Sequence, residues 1–481
     1  MCAIDVSQMP PPKSRTGAGA DVFILGAGFS KAIHESMPLL RELSAPVLDR
    51  LRTNGSDAST VPFINENIEL AMTFLAERHA WLSEADYLRN RALSLDMAAA
   101  IAQELSARTQ AVLRALQTCP APLLRLVHWW HKRQAVIISF NYDTLVERAF
   151  SCIETAHGSF FEDHLMPPSL FAPTGTLGFG TTGQTASLLK LHGSLNWFYS
   201  GRPSYFGEQI HHLHTGGWSA DDFDESSYEG RVPLVVPPLA TKGSYFEHEG
   251  IRHLWSTAAM AIRSARRIFC IGYSLPGTDL PVRFLLKSNA LRDQTPLLLV
   301  DTNPNIAAAY RELSLSHLTI DDRYVGDNPL VAAVDDLMRE DLAATLEQAP
   351  RPQEPGPVQR QLMSALSSGT TLAAFKEPDS RTPQEYVVVD AISERGVTCC
   401  LGNAPIPTHF TWQSLEGVIP EIQQSNMQRL AIHELEAYLS RWHCWATARF
   451  VIPLLHQAGI AAACYEVNAW YVRLTGEPAT D

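Results

Sequence analysis

The sequence predicts an α/β protein: a parallel sheet with helices on both faces, a helical insertion within it, and a small C-terminal α+β domain. Three observations predict this. Short apolar runs of strand length recur, and each ends in a cluster of Gly, Asn, Asp or Ser. Stretches rich in Leu, Ala and Glu, with apolar residues three and four apart, lie among them. Residues 349–358 (APRPQEPGPV) hold four prolines and a glycine, a composition that separates units.

Taken in order, Asp21–Leu25 (DVFIL) reads as a buried strand running into Gly26, Ala27 and Gly28, after which Phe29, Ser30, Lys31 and Ala32 can open a helix. The next stretch is mostly helical and too long for a simple crossover, which predicts a helical insertion at about 40–130. Residues 135–140 (AVIISF) form a second strand, leading through Asn141, Tyr142 and Asp143 into a helix at 144–150. After a Gly-, Thr- and Pro-rich region, residues 187–191 (SLLKL) form a third strand ending at His192, Gly193 and Ser194. Residues 200–230 read as loop, 232–236 as another short apolar run and 254–265 as helix. Two further strands, Arg267–Ile271 and 296–300, end at Gly272-Tyr273-Ser274 and at Asp301-Thr302-Asn303. Short apolar strands alternating with helices indicate a parallel sheet covered on both faces. The expected organisation is a domain at 20–345, a linker at 346–357 and an α+β module at 358–481. In that module 386–391, 396–401 and 410–412 are strand candidates, and Ile432, Leu435, Leu439 and Trp442 make one apolar helix face.

Charged residues are 19% and hydrophobic residues 46%, an ordinary globular balance. The net charge of -13 argues against a broad basic surface, so no direct nucleic-acid binding is expected. It also requires that an anionic ligand be held by local backbone dipoles and placed side chains. No apolar run reaches the length of a membrane span, and residues 1–20 lack the apolar core of a signal peptide. The eight cysteines are scattered without a C-x-x-C pair, which speaks against a disulfide framework or a four-cysteine zinc site. A reducing cytoplasm fits that pattern.

Five clusters can carry chemistry. Glycines after a strand let the backbone turn tightly and approach a pyrophosphate, so Gly26, Ala27, Gly28 and Ser30 read as a phosphate turn or as a plain tight turn. Asn141 and Asp143 lie past a strand end, where ligands bind in open α/β sheets; Asp143 reads equally well as a helix cap. His192 is placed as a general base or as a buried, satisfied histidine. Gly272 with Ser274, and Asp301 with Asn303, suit ribose and phosphate contacts or ordinary turns.

Together GAGFS, FNYD, LHGS, GYSLP and DTNP, each after a short apolar strand, resemble the sirtuin family, and more closely its divergent bacterial branch of antiphage-defence proteins. The resemblance covers roughly residues 20 to 330. It implies a Rossmann-like NAD-binding domain. Gly26, Ala27, Gly28 and Ser30 match the turn that holds the NAD phosphates. Asn141 and Asp143 match the Asn-x-Asp motif facing the nicotinamide and its ribose, and His192 matches the catalytic histidine. Gly272 and Ser274 match a Gly-x-Ser turn near phosphate and ribose, and Asp301 and Asn303 the adenosine half. The chain departs from deacylating sirtuins: their paired zinc cysteines are missing, and Ser139-Phe140 stands in place of their Thr-Gln.

The resemblance, with these departures, implies an NAD glycohydrolase that uses water where a deacylase uses an acyl-lysine. NAD is its substrate, and no metal is expected. It implies a NAD-depleting effector of antiphage defence, a homo-oligomer, with a partner such as an ATPase or an Argonaute-like protein. Residues 358–481 would serve assembly or partner contact. The alternative is a non-catalytic module that senses NAD or a related nucleotide and signals to a partner. A pure binder needs no base, so Asn141, Asp143 and His192 together favour the enzyme.

Other features have plainer readings. His211, His212, His214 and His248 lack a clear fourth ligand for a metal. Trp129, Trp130, Trp442 and Trp445 read as packing rather than interface anchors. Arg263, Arg266 and Arg267 read as a solvated helix end rather than a phosphate clamp.

Overall fold

The structure is a computed structural model. It describes residues 19–56, 58–59, 61–152, 154–155, 158–159, 171–173, 186–199, 210–213, 215, 217–218, 231–239, 246, 248–289, 295–313, 318–348, 355–373, 386–401, 404–413, 415–417, 419, 430–431, 448–466 and 469–474. The chain forms two compact units, residues 1–333 and 334–481.

The first unit opens with β1 (Asp21–Leu25) and α1 (Ala27–Ile33). The insertion comes next as α2 (Ser44–Thr53), α3 (Ile68–Ala76), α4 (Glu84–Ala115) and α5 (Ala121–Arg133). After it come β2 (Val136–Ser139), α6 (Leu145–Phe150) and the short β3 (Glu154–Thr155), β4 (Gly158–Ser159) and β5 (Phe171–Pro173). The chain continues through β6 (Ser187–Lys190), β7 (Gly193–Tyr199), β8 (Ile210–His212), β9 (Val232–Val235), α7 (Glu249–Ser264) and β10 (Arg267–Ile271). The unit ends with α8 (Leu280–Asn289), β11 (Thr295–Asp301), α9 (Ile306–Glu312) and β12 (Leu318–Val325), and α10 (Pro329–Gln348) runs across the division.

Six of these strands form one sheet in the order β12-β11-β10-β1-β2-β6, and every neighbouring pair is parallel. Numbered by their sequence within the sheet, this is the 3-2-1-4-5-6 order of a doubly wound, Rossmann-like sheet. The expected parallel α/β architecture is therefore present. Burial on both faces explains why β1 is apolar from Val22 to Leu25 without alternation. At its centre Phe23 stacks on Phe269 with centroids 4.6 Å apart. The edges of Trp129 and Trp130 meet Phe23 at 5.6 and 5.3 Å, so the tryptophan pair of α5 belongs to the core. Gln134, in left-handed conformation at φ 52°, ends α5 and turns the chain straight into β2.

In the insertion, Val47, Leu51, Met72, Leu75, Met97 and Ile101 join α2, α3 and α4 into one core. The Asn67 side chain caps α3 and Ser83 caps α4. The apolar run at 232–236 does not join the parallel sheet. Its β9 lies in a second, four-stranded sheet of order β5-β8-β7-β9. Its β7 starts at Gly193, directly after His192, so LHGS is a corner between two sheets rather than a strand-to-loop exit. Gly193 has φ +79°, and a Cβ there would lie 1.9 Å from the Leu234 carbonyl oxygen.

The second unit contains α11 (Pro357–Ala365), then β13 (Thr371–Ala373), β14 (Tyr386–Ser393), β15 (Gly396–Leu401) and β16 (Ala404–Thr411) as an antiparallel sheet. Next are β17 (Leu430–Ala431), α12 (Ala448–Gln457), β18 (Ala461–Glu466) and β19 (Ala469–Leu474), whose strands form a three-stranded sheet. Val387, Val389, Phe410, Trp412, Val451 and Leu454 share its core. The helix face expected at Ile432 to Trp442, and Trp445, lie outside the described residues.

Phe23 touches aromatic rings from a neighbouring strand and from α5, so Phe23→Ala is expected to cost about 3–5 kcal/mol. Equilibrium denaturant unfolding measures this; a loss below about 1 kcal/mol contradicts the packing described.

Candidate active site

All five motifs fall at the carboxyl edge of the parallel sheet. Strand order reverses between β1 and β10, and there open α/β sheets hold their ligands. The turns after these two strands touch backbone to backbone. A Cβ on Gly26 would lie 2.5 Å from the Gly272 carbonyl oxygen, and one on Gly28 2.8 Å from the Gly272 Cα. Gly272, at φ +60°, would bring a Cβ within 2.1 Å of the Phe29 nitrogen. The glycines are thus required by the contact between the two turns. The Gly28 amide donates to the Gly272 oxygen at 2.9 Å, and the Phe29 amide to the Gly26 oxygen at 2.9 Å. Two amides expected to face an anion are turned inward.

Ser30, Asn141 and Asp143 come together although they are far apart in sequence. The Ser30 hydroxyl donates to Asp143 Oδ2 at 2.6 Å and accepts from Asn141 Nδ2 at 3.0 Å. Asn141 Nδ2 also donates to the Gly26 carbonyl at 2.8 Å. Asp143 Oδ1 accepts from the Leu145 amide at 3.1 Å, at the start of α6. Both oxygens of Asp143 are therefore engaged inside the fold, and the capping reading of this residue describes one of them.

His192 is buried, and its ring lies 5.0 Å from Phe140, 6.3 Å from Tyr142 and 6.3 Å from Trp255 between centroids. Trp255 Nε1 donates to the Leu191 oxygen at 3.1 Å, and the His192 oxygen accepts from the Val236 amide at 2.8 Å. The contact with Phe140 sets His192 against the residue that precedes Asn141. Beneath both loops lies Lys190, buried with Glu147. Its three protons go to Glu147 Oε1 at 2.9 Å, to Ser194 Oγ at 2.7 Å and to the Asp143 carbonyl oxygen, with the Tyr142 carbonyl oxygen at 3.3 Å sharing one of them. Ser194 continues to Asn196 Oδ1 at 2.6 Å, and Asn196 Nδ2 meets His212 Nε2 at 3.0 Å.

On the other side of the switch, Ser274 is exposed while Tyr273 is buried and donates to Asp279 Oδ2 at 2.8 Å. Burial, followed by the Asp279 charge, pushes the Tyr273 phenol well above its ordinary range. Leu275 has φ 51° although a proline comes after it, a strained conformation that the buried loop holds in place. Thr278 donates to Glu69 of α3, which ties the insertion to this loop. Asp301 ends β11, and burial holds its carboxyl above the ordinary range. Its Oδ1 accepts from the Asn303 amide at 2.8 Å, and Asn303 Oδ1 accepts from the Asn305 amide at 3.0 Å. The Oδ1 of Asp301 and the amide oxygen of Asn303 are thus turn chemistry.

His212 and His248 serve structure: the first meets Asn196, and Nδ1 of the second accepts from the Gly250 amide to cap α7. His214 lies outside the described residues. Among the described residues no group of three potential ligands clusters as a metal site, and no helix is long and apolar enough to cross a membrane. Arg266 and Arg267 pair with Asp21 at the amino end of β1, away from the motifs, and Arg263 donates to Asn289. Sequence reasoning passed over Lys190, Glu147 and Glu69. The available signal was the lysine inside the apolar run SLLKL, a charge that a buried strand tolerates only with a partner.

No family model matches the chain, and no curated protein matches it. Among solved structures it is similar to a Sir2 homolog–NAD complex, at 12% identity and TM-score 0.33, covering 68% of this chain and 90% of that one. It is also similar to Sir2Tm bound to a propionylated peptide, at 14% identity and TM-score 0.31, covering 68% and 94%. At this level of likeness the fold assignment rests on the strand order of the sheet itself.

Removing the buried ammonium strands Glu147, so Lys190→Met is expected to cost about 3–5 kcal/mol, while Lys190→Met with Glu147→Leu recovers most of it. Thermal and denaturant melts of the single and double variants decide this; a double variant as unstable as the single one refutes it. For Asp301 the raised carboxyl means stability present in acid and lost as pH climbs past the ordinary value of 3.8. Asp301→Asn cannot ionise, so its melting temperature should gain on wild type between about pH 4 and pH 7. A pH-independent difference would show that burial of this charge costs nothing.

Proposed function

We propose that the chain binds NAD in the crevice at the carboxyl edge of its parallel sheet and hydrolyses the nicotinamide–ribose bond. The observation that carries this reading is the Asn141 amide. Its NH2 donates to a backbone carbonyl, Gly26, and to the Ser30 hydroxyl, which sets the orientation of the group. Its Oδ1 takes no partner among the described residues and is not sealed from solvent. A fixed, open acceptor beside the switch-point crevice suits a ribose hydroxyl or a water molecule.

The residues present fit a dinucleotide, with a division of labour. Gly26, Gly28 and Gly272 let the two turns close on each other; the phosphates then fall to the partly exposed Ala27 turn and to the exposed Ser274. Asp301 and Asn303, at the end of β11, face the ribose of the adenosine half. Asn141 orients water and the ribose hydroxyls, and His192 takes the proton from water or a ribose hydroxyl. Ser30 and Asp143 act as positioning residues through Asn141 and the start of α6. The bond breaks through an oxocarbenium-like centre; its electron pair leaves with nicotinamide, and the water oxygen bonds to the ribose carbon. The products are nicotinamide, ADP-ribose and a proton. The set of motifs, as a resemblance, extends this to an NAD-depleting effector of bacterial antiphage defence that works with a partner protein.

Purified full-length chain should consume NAD and release nicotinamide, both measured by chromatography. Asn141→Ala and His192→Ala should each slow release about 10²–10⁴-fold, far more than the folded fraction measured by circular dichroism at the assay temperature falls. Unchanged NAD loss in both variants would falsify the site assignment. Wild type that binds NAD and leaves it intact would select the sensing module, a reading favoured by the internal engagement of Ser30 and Asp143.

A further inference from the structure

The first half of α4 carries an apolar seam on its outer side. Leu88 and Leu95 are 56% and 58% exposed, and Trp81, just ahead of the helix, is 75% exposed. These three are spaced seven residues apart, and the exposed Ala85, Ala92 and Ala99 continue the series between and beyond them. The resulting alternation of four and three is a heptad pattern, with a large residue at one core position and alanine at the other. The opposite face of the same helix, with Met97, Ala100, Ile101 and Leu105, already packs into the core shared with α2 and α3. One helix thus presents two apolar faces, and the fold uses only one of them.

The anchor at the end of the seam is held in place. Trp81 stacks on His79 with centroids 4.7 Å apart, and His79 stacks on Phe74 at 4.7 Å. An exposed tryptophan fixed by an aromatic stack loses little freedom when it is covered.

We propose that this seam is a self-association surface on which α4 of a second copy of the chain packs antiparallel. The pattern itself selects the occupant and the direction. About a two-fold axis near Asn90, Ala85 meets Leu95 of the second copy and Ala92 meets its Leu88, while Ala99 lies toward the turn that carries its Trp81 ahead of the helix. Each layer within the helix then holds one small and one large side chain, and the seam is covered. Parallel pairing in register would stack alanine on alanine and leucine on leucine, leaving gaps between overfilled layers. Of the arginines nearest the axis, Arg89 is paired with Asp86 in its own chain, while Arg91 donates to the Tyr87 hydroxyl and meets the Arg91 of the second copy, so association should strengthen as salt screens that pair. The surface stands independently of the NAD reading.

The test is the molar mass of the full-length protein by light scattering at micromolar concentration, for wild type, Leu88→Glu/Leu95→Glu and Ala92→Phe. All substituted positions are exposed, and circular dichroism checks that each variant keeps its fold. The expected result is a wild-type mass that is a multiple of the 53.2 kDa chain and is halved in Leu88→Glu/Leu95→Glu. Ala92→Phe should weaken association at least tenfold, because its partner position is already filled by leucine. Wild type at the single-chain mass overturns the proposal and leaves the seam to a different protein. An unchanged mass in Leu88→Glu/Leu95→Glu overturns it as well. Association strengthened by Ala92→Phe overturns the antiparallel arrangement.

Discussion

The ammonium group of Lys190 sits under the loops that leave β2 and β6, removed from water with the Glu147 carboxylate. Taking both charges out of solvent costs several kcal/mol each, and their attraction repays it only if the remaining donors are satisfied. The lysine side meets that condition with Ser194 and the backbone carbonyls of the FNYD loop, while on the other side Glu147 Oε2 is buried without a hydrogen-bond partner among the described residues. The carbonyls belong to Tyr142 and Asp143, so the position of the loop that carries Asn141 is tied to the corner that carries His192. The same network runs through Ser194 and Asn196 to His212, which joins the parallel sheet to the smaller sheet beside it.

A second constraint acts across the switch point, and it is steric. The turns after β1 and β10 approach until no side chain fits between Gly26, Gly28 and Gly272. That contact uses amides that a looser turn would offer to an anion. It also aligns Ser30 so that its hydroxyl can bridge Asp143 and Asn141. Much of the chemistry-bearing sequence is therefore consumed in holding the edge of the sheet together. What the fold leaves uncommitted there is small in number: the Asn141 Oδ1 and the Ala27 and Ser274 surfaces. Under the proposed function this arrangement would preorganise the site, because the Asn141 Oδ1 is borne by a group whose other atoms are already committed.

The insertion takes part in the same edge. Glu69, at the start of α3, accepts from Thr278 in the loop after β10, and Tyr142 and Leu195 pack against the insertion core. The helical segment thus packs on the loops at that edge on one side while its longest helix turns an apolar seam outward on another.

The sequence by itself determined five of the six strands of the parallel sheet and the residues at their carboxyl ends; the edge strand β12 (LTIDDRYV) was not legible, because its charged residues break the apolar run. Continuous apolar runs such as DVFIL and RIFCI can be buried only on both faces, and a strand ending in glycine or Asn-x-Asp places those residues at the edge where ligands bind. It also showed the helical insertion, because helical spacing is a local property. Tertiary structure decided which glycine opposes which, that Asp143 is committed to Ser30 and α6 rather than open, and that β9 lies in a separate sheet. It also decided that the lysine of SLLKL is a hub. The physical reason is that partners set far apart in the chain, from Lys190 and Glu147 at 43 positions to Ser30 and Asp143 at 113, leave no periodicity in it; they meet only once the sheet has brought its strand ends together.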